Sequence, residues 1–142
     1  YERALCRAMT DLSADLYVLA GYMRILGHGI VKTFHGRLMN IHPALLPAFP
    51  GLHAQRQALA YGVRVSGCTV HFVDEGMDSG PVIVQACVRV EEDDDEDSLA
   101  ARILALEHRC LPRAIRLFCE GRLMIEGRRV RILSAGTPAR GR

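Results

Sequence analysis

Short, continuous apolar runs that stop at glycine or proline constrain this chain most. Leu16-Tyr17-Val18-Leu19-Ala20 ends at Gly21, and Leu38-Met39-Asn40-Ile41-His42 ends at Pro43. Apolarity that is continuous rather than alternating fits strands covered on both faces, as in a parallel α/β sheet. A helix is predicted over 29–34 between them. Pro43, Pro47 and Pro50, with Gly51, make a rigid loop, followed by a helix over 53–61 that Gly62 stops. Thr69-Val70-His71-Phe72-Val73 and Val82-Ile83-Val84-Gln85 are β-branched runs separated by the turn formers of 74–81. Acids at 91–97 suit the first turn of a helix whose Leu99, Ile103, Leu106 and Cys110 share one face. Pro112 is expected to kink or divide that helix. Strands at 123–125 and 130–133 would close a hairpin around Gly127.

Alternating strands and helices predict an α/β fold with a mainly parallel central sheet flanked by helices. The expected layout is one domain over 1–133 and a disordered tail over 134–142. The chain opens with Tyr1, inside a helical pattern in which Leu5, Ala8, Met9 and Leu12 form one face with no capping residue before it. The expectation is that the natural protein begins earlier.

Composition removes several classes of function. Eighteen basic against 16 acidic side chains leave +2, too little to argue for a nucleic-acid or anionic-membrane partner. No apolar run reaches the length of a membrane span, and nothing reads as a signal peptide. Five scattered cysteines without Cys-x-x-Cys spacing argue against a disulfide framework and for a cytoplasmic setting. The histidines do not gather into a zinc pattern, so no metal is expected. The charge runs read as solvated surface.

In such sheets ligands bind beyond the carboxyl ends of the strands. That rule points to 21–26, to Asn40 and His42, and to the loop holding Asp78. Asn40 and His42, two apart in a strand, point to the same side with Ile41 opposite. An amide and a protonated imidazole both donate hydrogen bonds and suit a developing anion. The same pair could equally satisfy backbone groups at a strand end. Asp78 reads either as a turn residue bonding its own backbone or as a carboxylate facing His42, where its charge would favour the protonated ring. Glu107 alone reads as a helix acid. His28, His35 and His53 read as structural or surface residues, and alternation does not say which side His71 faces.

These residues sit in longer strings: Leu19-Ala20-Gly21-Tyr22-Met23-Arg24-Ile25-Leu26, Asn40-Ile41-His42-Pro43-Ala44-Leu45-Leu46-Pro47-Ala48-Phe49-Pro50-Gly51-Leu52-His53, Gly67-Cys68-Thr69-Val70-His71-Phe72-Val73, Met77-Asp78-Ser79-Gly80-Pro81-Val82-Ile83 and Glu107-His108. In this order the set resembles the phosphoribosylglycinamide formyltransferase family over nearly the whole chain. The resemblance implies a Rossmann-like formyltransferase fold, here lacking its first strands. It also implies transfer of formyl from 10-formyltetrahydrofolate, as co-substrate, to the amine of 5'-phosphoribosylglycinamide in purine biosynthesis.

Site roles follow from the resemblance position by position. Asn40 would hold the formyl oxygen. His42 would act as general acid toward the oxyanion and the departing folate nitrogen, and Asp78 would hold His42 protonated. Met23, Arg24, Ile25 and Leu26 would wall the folate pocket. Val73, Asp74, Glu75, Gly76, Met77 and Asp78 would form the loop over the pterin, with Asn40 also touching folate. Glu107 would contact the ribosyl part of the acceptor. The family's substrate-phosphate loop belongs upstream of Tyr1, and Leu104 stands where a polar residue is expected. Formyltetrahydrofolate hydrolase shares the Asn-x-His…Asp core but usually lacks Pro43 and Leu52-His53. Methionyl-tRNA formyltransferase needs a further nucleic-acid-binding domain. A non-catalytic folate-binding remnant is the remaining alternative.

Overall fold

A computed structural model describes residues 1–22 and 24–136. The expectations for Met23 and for the tail beyond 136 lie outside the described residues. In chain order the elements are α1 (Glu2–Leu12), β1 (Tyr17–Leu19), α2 (His28–Thr33), β2 (Leu38–His42), α3 (Ala54–Tyr61), β3 (Val65–Phe72), β4 (Val82–Arg89), α4 (Glu96–Cys119), β5 (Leu123–Glu126) and β6 (Arg129–Ile132). The described strands form one sheet in the order β1-β2-β3-β4-β6-β5.

The α/β class holds, but the sheet is mixed, which corrects the expectation of a mainly parallel one. Only β1–β2 and β4–β6 are parallel, while β2–β3, β3–β4 and β5–β6 are antiparallel. The cause is local for two of the antiparallel pairs. The turn-rich 73–81 segment and the Gly127 turn are too short for a parallel crossover, which needs a dozen or more residues.

Residue alternation on β2 separates two layers. Leu38 faces α1 and α2, where Met9, Leu26, Ile30, Val31 and Phe34 pack with it. Met39 faces the other way, into a cluster with Val70, Phe72, Ala114, Leu117 and Phe118. The amino-terminal half of α4 covers Cys68 with Leu99 and Ile103. One apolar stripe along α4 therefore packs the sheet on both sides of Pro112, and the helix runs through that proline undivided. Packing on both flanks outweighs the lost backbone hydrogen bond.

The acidic run does start α4. The Asp95 side chain accepts from Ser98 N at 2.8 Å, and Ser98 Oγ accepts from Asp95 N at 3.0 Å, a reciprocal cap. One acid departs from the solvated reading. The Asp94 side chain is only 3% exposed and is paired at 2.5 Å with Arg102, whose guanidinium holds the carboxyl well below the usual carboxylate range. Two apolar expectations are also narrowed. On α1 only Met9 is buried, while Leu12 stays 73% exposed. β1 lies at the sheet edge with Val18 at 36% exposure, so it is not covered on both faces.

Candidate active site

The parallel strands β1 and β2 end at a cleft of about 500 Å³. Asn40 pairs with His71 across β2 and β3, and His42 pairs with Thr69. Cross-strand partners share a face, so the four side chains stand on one side of the sheet. A register irregularity at Val70/His71 sits beside them, a place where bulges commonly re-aim a side chain.

Thr69 and Gln85 anchor the proline loop above this row. Thr69 Oγ1 donates to Ala44 O at 2.7 Å and accepts from Leu46 N at 3.1 Å. Gln85 Nε2 donates to Leu46 O at 3.0 Å and to Thr69 Oγ1 at 2.9 Å. These bonds satisfy buried polar groups and fix the loop over the end of β2.

Asp78 is the meeting point of the site. Its Oδ2 accepts from Gly51 N at 2.8 Å and lies 3.4 Å from His42 Nδ1. Its Oδ1 lies 3.7 Å from His71 Nε2. The residue has φ +50, a left-handed conformation that the short polar side chain of Asp tolerates. Nearby Gly80 has no alternative: a Cβ there would lie 1.6 Å from Phe72 O.

His42 is 5% exposed and donates from Nε2 to Phe49 O at 2.7 Å. His71 is 2% exposed and donates from Nδ1 to Phe72 O at 2.9 Å, while its Nε2 has no hydrogen-bond partner among the described residues. Burial pushes the His71 ring below its ordinary range and outweighs the opposing hydrogen bond and the Asp78 charge. Glu107, on α4, reaches the cleft, and burial pushes its carboxyl above the ordinary range against the pull of His108 and His42. The site thus holds an imidazole whose protonation burial disfavours, a carboxylate–imidazole contact and a carboxamide in one concavity.

The structure brings Arg24, Ile25, Leu26, Asn40, His42, Val73, Gly76, Met77, Asp78 and Glu107 together on the cleft wall. Asp74 and Glu75 do not line it. Asp74 instead accepts from Gly76 N and Ser79 Oγ, and Glu75 pairs with His28. These two face a separate, open depression against α2. Leu104 is 49% exposed and does not line the cleft. Sequence reasoning missed His53, Gln55 and His71, all on the cleft wall. For His71 the signal was its place opposite Asn40, which appears only once the strands are paired. Among the described residues no group of three or more His, Cys, Asp or Glu is placed to hold a metal ion, and no helix is long and apolar enough to cross a membrane.

Residues 1–115 match the family described as formyl transferase. The trifunctional purine biosynthetic protein adenosine-3 of Drosophila melanogaster is 52% identical over 125 residues, covering 88% of this chain and 9% of that protein. The phosphoribosylglycinamide formyltransferase of Escherichia coli (strain K12) is 48% identical over 123 residues, covering 87% of this chain and 58% of that protein. The glycinamide ribonucleotide transformylase 1 structure from Symbiobacterium toebii superposes with a TM-score of 0.91 at 59% identity, over 94% of this chain and 63% of that one. A formyltetrahydrofolate deformylase from Pseudomonas syringae superposes at 0.88 with 31% identity, over 93% of this chain and 44% of that one. The chain therefore spans less than two thirds of the length of each of these relatives.

Proposed function

This chain belongs to the formyl transferase family, and we propose that it carries the catalytic centre of a phosphoribosylglycinamide formyltransferase. The reaction moves the formyl group of 10-formyltetrahydrofolate to the amine of 5'-phosphoribosylglycinamide, in the cytoplasm. The observation that carries the reading is the buried contact of His42 Nδ1 with Asp78 Oδ2 at 3.4 Å, on a cleft also lined by Asn40.

The acceptor amine is its own nucleophile, so the protein supplies no covalent one; its work is orientation and charge stabilisation. As the amine attacks the formyl carbon, the carbonyl electrons move to oxygen, where the Asn40 carboxamide and protonated His42 donate hydrogen bonds. Collapse of the tetrahedral species breaks the bond to the folate nitrogen, which takes a proton from His42. The proton lost by the attacking amine returns to the His42–Asp78 pair, so the site is restored. Arg24, Ile25 and Leu26 with Val73, Gly76 and Met77 form the folate side of the cleft, and Glu107 the acceptor side. Asp74 and Glu75 support the pterin loop from outside, through contacts within the loop and to α2.

The test is formyl release by the intact protein with and without the amine acceptor. The transferase reading predicts formyl-acceptor formation and little free formate. Formate release without acceptor would support a deformylase, and folate binding without either product a non-catalytic module.

A further inference from the structure

Both ring nitrogens of His42 face an acceptor, and only one of those acceptors can ever carry a proton. Nε2 lies 2.7 Å from Phe49 O, whereas Nδ1 lies 3.4 Å from the Asp78 carboxylate. A main-chain carbonyl has no proton to give, so the Nε2 contact requires the hydrogen to sit on the ring. At 5% exposure there is little solvent to offer that nitrogen another partner.

We infer that the Phe49 carbonyl is a positioning group: it keeps the Nε2 proton of His42 in place, so that Nδ1, beside Asp78, is the nitrogen that gives and takes the proton. The proton balance is simple. Protonated His42 carries both N–H bonds. The Nδ1–H bond breaks as a bond forms to the departing nitrogen, and the ring is left neutral with its hydrogen on Nε2. A proton from the attacking amine then restores Nδ1–H. Which nitrogen acts is thereby set before any ligand arrives.

The loop is built to hold that carbonyl where it is. Phe49 has φ +54, a left-handed conformation that a non-glycine aromatic residue rarely adopts. Its ring packs edge-on against Tyr61 of α3, with centroids 5.8 Å apart. Gln57, also on α3, donates to Pro50 O at 3.1 Å and to Leu52 O at 2.8 Å. Two residues beyond Phe49, Gly51 N donates to Asp78. One short stretch of main chain, 49–51, therefore grips both members of the His42–Asp78 pair.

The inference rests on the formyl-transfer reading for the reaction, but its geometry is testable without substrate. The experiment is nitrogen NMR of the histidine-labelled protein, followed to a pH at which His42 is neutral. The expected signature is a protonated Nε2 and an unprotonated Nδ1; the opposite tautomer, or a rapidly exchanging mixture, overturns the inference. Two variants separate backbone placement from ring packing. Phe49→Gly accepts positive φ freely but deletes the ring, whereas Phe49→Val keeps apolar bulk but resists positive φ. If the carbonyl is the positioning element, Phe49→Val loses the tautomer preference and has a kcat about 10-fold or more below that of Phe49→Gly, because small misplacements of a reacting group are costly. The reverse order, with Phe49→Gly the more damaged, would mean that the ring matters and the carbonyl does not. If Phe49→Val fails to fold, the tautomer of the unaltered protein still decides. An Nε2-protonated His42 in a protein that transfers no formyl would refute the function and leave this inference standing.

Discussion

Burial disfavours protonation of the His71 ring beside Asp78, and that has a measurable consequence. Its folded-state range is depressed by burial, so below the ordinary histidine value of about 6.5 the unfolded chain binds a proton that the folded chain does not. Unfolding free energy should then fall as pH drops below about 6.5, and His71→Gln should flatten that slope in chemical denaturation followed across pH. Glu107 works in the opposite sense. Its carboxyl is raised by burial, so its stabilising contribution is present at acid pH and is lost as pH rises through the folded-state value. Glu107→Gln should therefore raise the melting temperature at neutral pH while weakening acceptor binding in calorimetry; a drop in both would contradict the burial argument. At the level of single residues the candidate site was legible where its proposed chemistry is tied to a motif. Asn40, His42 and Asp78 were named from ordered strings, whereas His71 stayed unassigned because alternation gives two faces and no means of choosing between them.

The elements show a similar division. β2 was read at its observed bounds and α3 to within a residue, since proline and glycine punctuate them. β3 was read too short: Ser66 and Gly67 are poor strand formers, yet Gly67 belongs there because a Cβ would meet Ala86 O at 1.9 Å. Close approach of β4 selects glycine at that position, and no local signal reports it. Gly80 poses the same requirement at the loop that carries Asp78. Gly80→Ala must push Phe72 and the 73–81 segment apart, so we expect a loss of about 1–3 kcal/mol in stability together with a fall in kcat as Asp78 moves off His42. A thermal melt and a rate measurement on the same preparation check both; full retention of rate would show that the loop tolerates displacement.

For the molecule as a whole, the β5–β6 hairpin around Gly127 was legible, whereas strand order and the direction of the other antiparallel pairs escaped the sequence. Apolar runs report burial, but pairing is a non-local choice. The mixed sheet, with β6 inserted between β4 and β5, follows from the short 73–81 and Gly127 connections acting together with the long α4 crossover. Location of the site was more accessible, because the carboxyl ends of parallel strands are where an α/β sheet leaves room for a ligand. β1 and β2 supply that room here, and the proline loop and the 73–81 loop close over it. We propose that His42 and Asp78, held together in that cleft, carry formyl transfer. The measurement that tests it most directly is turnover of formyl folate and phosphoribosylglycinamide by Asp78→Asn and His42→Ala in the intact protein, alongside their melting curves. A fall of about 100-fold or more in kcat is expected for each, with the fold retained; turnover near that of the unaltered protein in either variant would rule out this role for the pair.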